Sequence, residues 1–474
     1  MRKLFVAAVS GLFALSPLAL SSETMTDALI SAYRNSHLLD QNQAVLRAAD
    51  EDLATAVGSL LPVVSFQGSI NGVGSYQPGR TVFTCTPPPC RQVPAPAQSD
   101  ISLSDTISLV ASMPLYDFGR GKIGIALRNE VVLASQQSLV SVEQQVLLDA
   151  VSAYVNMGLQ TELVAAQQGN VRLITQDLRA SRDRFDVGEI TRTDVALAEA
   201  QLAAANAALA AAQGNYNVAR EGYKAAIGHY PDTLSALPKW PATVKTLNEA
   251  VAIALRNHPI VLQGQHQAKA SDYGIELARA EMRPNVEGNV QLSQNFSSGS
   301  SGPINESMGI TLRQTIYAGG RLSSALRKAV AQSQQAHAGL LQTGVNVQEA
   351  VGRAWSNILV ANVSIQAGDE QIRAAQAAYE GVKQEAELGS RTTLDVLDAE
   401  QALLSAKASR LQAAANLYIS QYQLLSTMGL MTADHLNLGI PTFDPSAYLN
   451  AVKRAPATSG RGAKLDRILK SLGK

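Results

Sequence analysis

Charge is scarce in this chain, and neither sign is in excess. Only 16% of the 474 residues are charged, with 39 Lys and Arg set against 39 Asp and Glu. That balance withholds the basic footprint a nucleic-acid surface needs, so no nucleic-acid partner is expected. Aromatic residues are few, at 5%, and much of the 46% hydrophobic content is alanine. Alanine-rich segments with few rings cannot fill a wide globular core; they suit helices that approach one another closely. Cysteine is nearly missing: Cys85 and Cys90, in Cys-Thr-Pro-Pro-Pro-Cys, are the two. Two readings stay open for them. One is a small-loop disulfide, favoured in an oxidising compartment; the other is a pair of zinc ligands, which lacks a nearby His.

Chemical motifs are missing as well. Asp117-Phe-Gly119 has no lysine strand or catalytic loop beside it, and Gly119-Arg-Gly-Lys122 lacks the P-loop spacing. The six His are scattered, and no Ser/His/Asp set or paired-carboxylate site stands out. The sequence therefore reads as a non-enzyme with no cofactor and no metal site. Beyond the N-terminus no run of about 18 apolar residues occurs. A mature chain without one spans a membrane only as a β-barrel.

The N-terminus itself carries Met-Arg-Lys, an apolar run from Leu4 to Leu20, then Ser21, Ser22 and Glu23. A basic start, an apolar middle and small residues make a signal peptide, placed at residues 1–22. No Cys lies near the cleavage site, so lipid anchoring there is excluded.

The rest is an internal repeat. Thr24-Met-Thr-Asp-Ala-Leu matches Thr246-Leu-Asn-Glu-Ala-Val, and Pro62 matches Pro284, both at an offset of 222. Tyr116-Asp-Phe-Gly-Arg120 matches Tyr317-Ala-Gly-Gly-Arg321, and Gly188 matches Gly389, at an offset of 201. The difference falls between Pro62 and Tyr116, where the cysteines and Pro87-Pro-Pro read as a long loop. Each unit opens with a helix, Thr24–Leu60 or Thr246–Met282, stopped by its proline. A strand pair follows. Ile101–Ala111 alternates apolar and polar residues, as do Val286–Leu292 and Met308–Leu312. The strands run about 10 to 13 residues, enough to cross a bilayer when tilted.

Next comes a helix from Gly119 to Gly188, or from Gly320 to Gly389, about 100 Å long at 1.5 Å per residue. A return helix then runs to Gly228 or Gly429. Its heptad sets Val195, Leu202, Leu209, Tyr216 and Tyr223 against Ala198, Ala205, Ala212, Ala219 and Ala226. The second copy, Val396, Leu403, Leu417 and Leu424, is broken by Arg410. A seam of large and small residues lets helices supercoil closely. The return helix and first helix together match the long helix in length, which suggests an antiparallel helical body with strands at one end and glycine tips at the other. The resulting division is repeat 1 at 23–228, a linker at 229–245, repeat 2 at 246–431, and a tail at 432–474 expected to be partly disordered.

The tips hold the candidate functional residues. Gly188 and Gly389 permit the left-handed turn that ends a helix, and each is followed six residues later by an acid, Asp194 or Asp395. The second tip adds Arg391 and Asp398. Asp395 and Asp398 share one helix face, an unfavourable pairing unless something uses it. Four strands cannot close a barrel, and an open edge in lipid leaves backbone groups unpaired. Two chains would supply eight strands and three would supply twelve; a solute-passing pore favours three or more.

The repeat, the strand pairs, Arg184-Phe-Asp-Val-Gly188 and Leu388-Gly-Ser-Arg-Thr-Thr-Leu-Asp-Val-Leu-Asp-Ala399 together resemble the TolC-like outer membrane efflux family over roughly Thr24–Met431. The resemblance implies a homotrimer whose twelve-stranded barrel sits in outer-membrane lipid. It implies a coiled-coil tunnel across the periplasm, reached by an inner-membrane pump through a periplasmic adaptor. Matched by position, Thr193, Asp194 and Arg391 would lock the closed tips, and Asp395 and Asp398 would form acidic rings in the pore. Val187-Gly188 and Leu388-Gly389 would dock the adaptor. The chain departs from the family's best-studied member at Ala386, where that member has Tyr, so a looser lock resting on Arg391 and Asp194 is expected. The function implied is a passive exit duct for drugs, toxic compounds or secreted substrates. Its rivals are a duct for type I protein secretion and a non-channel coiled-coil envelope protein. At the tips the rival reading makes Asp194 and Asp395 first-turn residues favoured by the helix dipole.

Overall fold

Alternation in the strand segments produces a sheet with two chemically different faces. In this computed structural model, which describes residues 22–86, 88–239, 244–297, 300–441, 443–452 and Arg467, β1 (Val63–Gln77), β4 (Gln98–Tyr116), β5 (Asn285–Ser297) and β6 (Ser300–Arg313) form an antiparallel sheet in the order β1-β4-β5-β6. The expected signal peptide, apart from Ser22, and the basic tail from Lys453, apart from Arg467, lie outside the described residues.

The chain divides into two compact units. One comprises Gln43–Ser138, Ile260–Thr343 and Phe443–Lys474, and holds the strands. Register lines up Val64, Ala111, Val290 and Met308 across all four strands, and Gly68, Ile107, Gln294 and Ile304 in another row of the same face. Phe66, Leu109 and Leu292 extend that face. Most of these large apolar side chains are exposed, Phe66 at 70% and Met308 at 82%. The opposite face is polar, with Gln67, Ser108, Ser293 and Asn305 in one row. A sheet that turns its large apolar residues outward suits a surrounding of lipid rather than water.

β1, β4 and β6 exceed the expected length, at 15, 19 and 14 residues, while β5 with 13 falls within it. β1 and β4 stay paired from Val63↔Ser112 to Gln77↔Gln98. The segment expected as a long loop instead carries a second hairpin, β2 (Arg80–Thr84) with β3 (Arg91–Ala95). Pro94 fits there because a two-stranded ribbon leaves one side of each strand without a ladder partner. Cys85 and Cys90 are joined by a disulfide just past the last pair, Thr84↔Arg91. A second surprise is α9 (Pro445–Val452) in the expected tail; its Tyr448 hydroxyl donates to Glu51 Oε1 at 2.8 Å.

The other unit comprises Met1–Asn42, Leu139–Pro259 and Gly344–Thr442. The first helix of each repeat was expected to be continuous. Each is split instead, into α1 (Met25–Asn35) and α2 (His37–Gly58), and into α5 (Leu247–Asn257) and α6 (Pro259–Ala280). Ser36 is extended, and its hydroxyl accepts from the Leu39 N–H at 3.3 Å, capping α2. His258 is extended because it precedes Pro259, whose ring disfavours helical geometry in the residue before it.

The long helices are α3 (Arg120–Asp186) and α7 (Arg321–Glu387), 67 residues each, and the return helices are α4 (Arg192–Ile227) and α8 (Thr393–Thr427). Asp117 caps α3, accepting from the N–H groups of Gly119 at 3.0 Å and Gly121 at 2.6 Å. Along α4 the expected small positions Ala198, Ala205 and Ala219 are buried, as is Tyr223. The heptad break at Arg410 has a cause: its Nε donates to Asp369 Oδ1 on α7 at 3.0 Å, beside Gly368. One expectation needs correcting. By length and composition α4 is apolar enough to cross a membrane. Of its 36 residues 14 are alanine, and Glu199, Arg220, Glu221 and Lys224 interrupt it, so its hydropathy comes from alanine rather than from an unbroken run of large apolar side chains.

The linker is pinned within this unit. Glu23 bridges Leu234 in parallel, Glu23 N–H donates to Thr233 O at 2.9 Å, and the Tyr418 hydroxyl donates to Pro238 O at 3.0 Å.

Candidate functional site: the two helical tips

Both tips lie in the helical unit and share one local design. At the first, Gly188 takes φ +82°; its N–H donates to Phe185 O at 2.9 Å, and Glu189 N–H donates to Arg184 O at 2.9 Å. At the second, Gly389 takes φ +79°; Gly389 N–H donates to Ala386 O at 3.1 Å, and Ser390 N–H donates to Glu385 O at 2.9 Å. These are helix C-caps that need a left-handed residue.

Three residues beyond each glycine, at Thr191 and Thr392, the return helix begins with a capping box. Asp194 Oδ2 accepts from the Thr191 N–H at 2.8 Å and its hydroxyl at 2.7 Å, while Thr191 Oγ1 accepts from the Asp194 N–H at 3.3 Å. Asp395 does the same with Thr392, at 3.0, 2.8 and 3.2 Å. The hydroxyl and then the backbone N–H of Thr191 hold the Asp194 carboxyl below the usual carboxylate range. For Asp395 the Thr392 N–H, then its hydroxyl, and last the Arg391 charge act the same way. Both aspartates are therefore anionic and part of their own helix start.

Arg391 turns back on its own tip, its Nε donating to Glu385 Oε2 at 2.8 Å. Within one chain the structure thus brings Arg391 to Glu385, and Asp194 to Thr191. Thr193, Arg391 and Asp398 are exposed, and so are Val187 at 72% and Leu388 at 85%. Ala386 is buried against the second tip.

A sequence model of outer membrane efflux proteins matches residues 29–229 and 250–430. The chain belongs to the outer membrane efflux protein family. Among relatives of this outer membrane efflux protein, the outer membrane efflux protein BepC of Brucella suis biovar 1 (strain 1330) is 32% identical over 435 residues, 91% of each chain. Outer membrane protein TolC of Escherichia coli (strain K12) is 23% identical over 398 residues, 77% of each chain. In fold, the CmeC outer membrane channel of Campylobacter jejuni aligns with a TM-score of 0.72 over 96% of this chain and 98% of that one, at 15% identity. The protein is one of the outer membrane.

Sequence reasoning missed one feature of this outer membrane efflux protein. Two turns past the second tip, Glu400 on α8 is 5% exposed, and neither carboxylate oxygen accepts a hydrogen bond. The signal was available: Glu400 lies three residues after Leu397 and three before Leu403, both buried, so helical spacing turns it inward.

Proposed function

We propose that this chain is the outer-membrane exit duct of a tripartite export system, working as a homotrimer that passively conducts small toxic compounds from an inner-membrane pump. The observation that carries the reading is the four-stranded sheet, with its exposed apolar face and with β1 and β6 each paired on one side only among the described residues. Three such sheets joined edge to edge make twelve strands, pair every edge and place the apolar face in lipid. BepC, an efflux protein by name, supports efflux.

The halves read as one unit used twice: α1 and α5 have 11 residues each, α2 and α6 have 22 each, and α3 and α7 have 67 each. On that reading repeat 1 spans 23–228, the linker 229–245, repeat 2 246–431 and the tail 432–474. The exposed tip residues Val187, Gly188, Leu388 and Gly389 dock a periplasmic adaptor. Thr193 and Asp194 of one chain meet Arg391 of the next in the closed trimer, and Asp395 and Asp398 ring the pore. Arg391 then divides its fork between Glu385 of its own tip and the neighbour's Asp194, a geometry that guanidinium allows. Exposed pairs of this kind are individually weak, and threefold symmetry multiplies them.

The test is single-channel conductance of the purified protein in planar bilayers. A small cation-selective conductance that rises severalfold in Arg391→Ser is expected. A folded protein that stays monomeric and never conducts would return the chain to the coiled-coil structural reading.

A further inference from the structure

The buried Glu400 has no part in the lock, the rings or the docking surface. Three helices of the helical unit meet around it. From α3 come Asp177 and, further toward the tip, Arg184, already paired with Glu189 at 3.1 Å. From α7 come Tyr379, Lys383 and Glu387. On α8 itself the acids nearer the tip are Asp398, two residues away and exposed, and Asp395, five residues away and held in its capping box by Thr392. A cavity of about 140 Å³ opens beside the cluster, lined by Asp177, Ser181, Lys383, Ala386, Val396 and Leu397 among others.

The charges do not balance. Asp177 Oδ2 is buried without a hydrogen-bond partner, as are both oxygens of Glu400. Lys383 is the nearby cation, but its side chain is exposed, with Nζ 5.9 Å from the Tyr379 ring centre, so water screens it. Two carboxylates and one ammonium leave one negative charge in excess. A buried ion without partners is far less stable than its protonated form. Burial first, and the Asp177 charge second, push the Glu400 carboxyl up to about 7, against the opposing charge of Lys383. Asp177 is raised as well, by burial.

We propose that Glu400 is a proton-operated latch for the second tip: neutral, it lets α8 close on α3 and α7; ionised, it draws water into the cavity and loosens the start of α8. The sign follows from linkage. The closed form holds the carboxyl near 7, while a hydrated, opened form returns it toward its ordinary 4.5. The closed form therefore binds the proton more tightly. Its advantage is complete below about 4.5, fades as pH rises, and is gone above about 7. Mild acid shuts the tip, and neutral or alkaline pH frees it.

The conductance arm of the test rests on the duct reading; the exchange arm does not. Amide hydrogen exchange across the second tip and the start of α8 is compared between the intact protein and Glu400→Gln at about pH 4, below the range in which the latch titrates, and at about pH 8. Glu400→Gln, permanently neutral, is expected to match the wild type at the lower pH and to be protected at least about tenfold more at the higher. Its conductance is expected to stay low where the wild type opens. Asp177→Asn, which removes the neighbouring charge, should keep the switch but move its midpoint to lower pH. It carries the test if Glu400→Gln does not fold. Equal protection ratios at both pH values, or an unmoved midpoint in Asp177→Asn, overturn the latch. A wild type that never conducts yet shows this exchange pattern removes the duct reading and leaves the latch standing.

Discussion

Gly429→Ala will destabilise the helical unit by about 2–5 kcal/mol, the sum of a left-handed backbone penalty and an overpacked contact. Gly429 ends α8 with φ +78°, its N–H donating to Ser426 O at 2.9 Å while Leu430 N–H donates to Leu425 O at 2.9 Å. An added Cβ would lie 2.6 Å from Asn257 O, 2.8 Å from Asn257 C and 2.9 Å from His258 Cα. All three are backbone atoms at the break between α5 and α6, so no rotamer change relieves the contact. Gly188→Ala is the internal control. Its φ of +82° carries the same backbone penalty, but nothing lies within 4 Å of the added Cβ. A loss of about 1–2 kcal/mol is expected there. Denaturant unfolding of both variants measures the difference. Equal losses would mean that the close approach at Asn257 has no energetic weight.

Loss of divalent-cation block is the second large effect. If Asp395 and Asp398 ring a narrow pore, three copies of each concentrate negative charge where a multivalent cation binds. Removing both should raise the blocking concentration by about tenfold or more, judged by the usual effect of deleting close charge partners. The two positions separate function from structure. Asp398 is exposed and outside the capping box, so Asp398→Ala should weaken block and leave thermal unfolding unchanged. Asp395 Oδ2 also accepts both Thr392 bonds, so Asp395→Ala should weaken block and lower the unfolding temperature together. Undiminished block in the double variant would remove the acidic rings from the account and leave Asp395 as a cap alone.

What could be read from the chain followed how local each signal was. Gly188 and Gly389 announce themselves because a left-handed helix end is a property of one residue. The strands at Val286–Leu292 and Met308–Leu312 show through their period of two, and the alanine seam of α4 through its period of seven. The break before Pro259 was equally local and was overlooked, because the helical pattern continues on both sides of it. The hairpin at Arg80–Ala95 was hidden by its prolines, which argue against strands except at edges. Arg391 and Asp194 could be matched by position, but their intrachain partners, Glu385 and Thr191, depend on how each turn folds back. Glu400 shares the inward face of α8 with Leu397 and Leu403, a signal the spacing carries, but the groups that surround it, Asp177 and Lys383, are set only once α3 and α7 are in place.

The sheet also sets an order of assembly. β1 pairs with β4, and β5 with β6, across modest stretches of chain, but the central seam joins β4 to β5, where Thr106 meets Asn295, 189 residues away, at 3.0 Å. Closing so long a loop costs more entropy than closing either hairpin, so the seam forms late. Until about residue 297 has emerged, the β1–β4 hairpin waits with both edges bare and one face apolar, the condition in which strands stick to the wrong partners. A chain bound for the outer membrane thus spends a long stretch of its synthesis, from Tyr116 to Ser297, with half a sheet to hide. Whatever escorts it must shield that hairpin until its distant counterpart arrives.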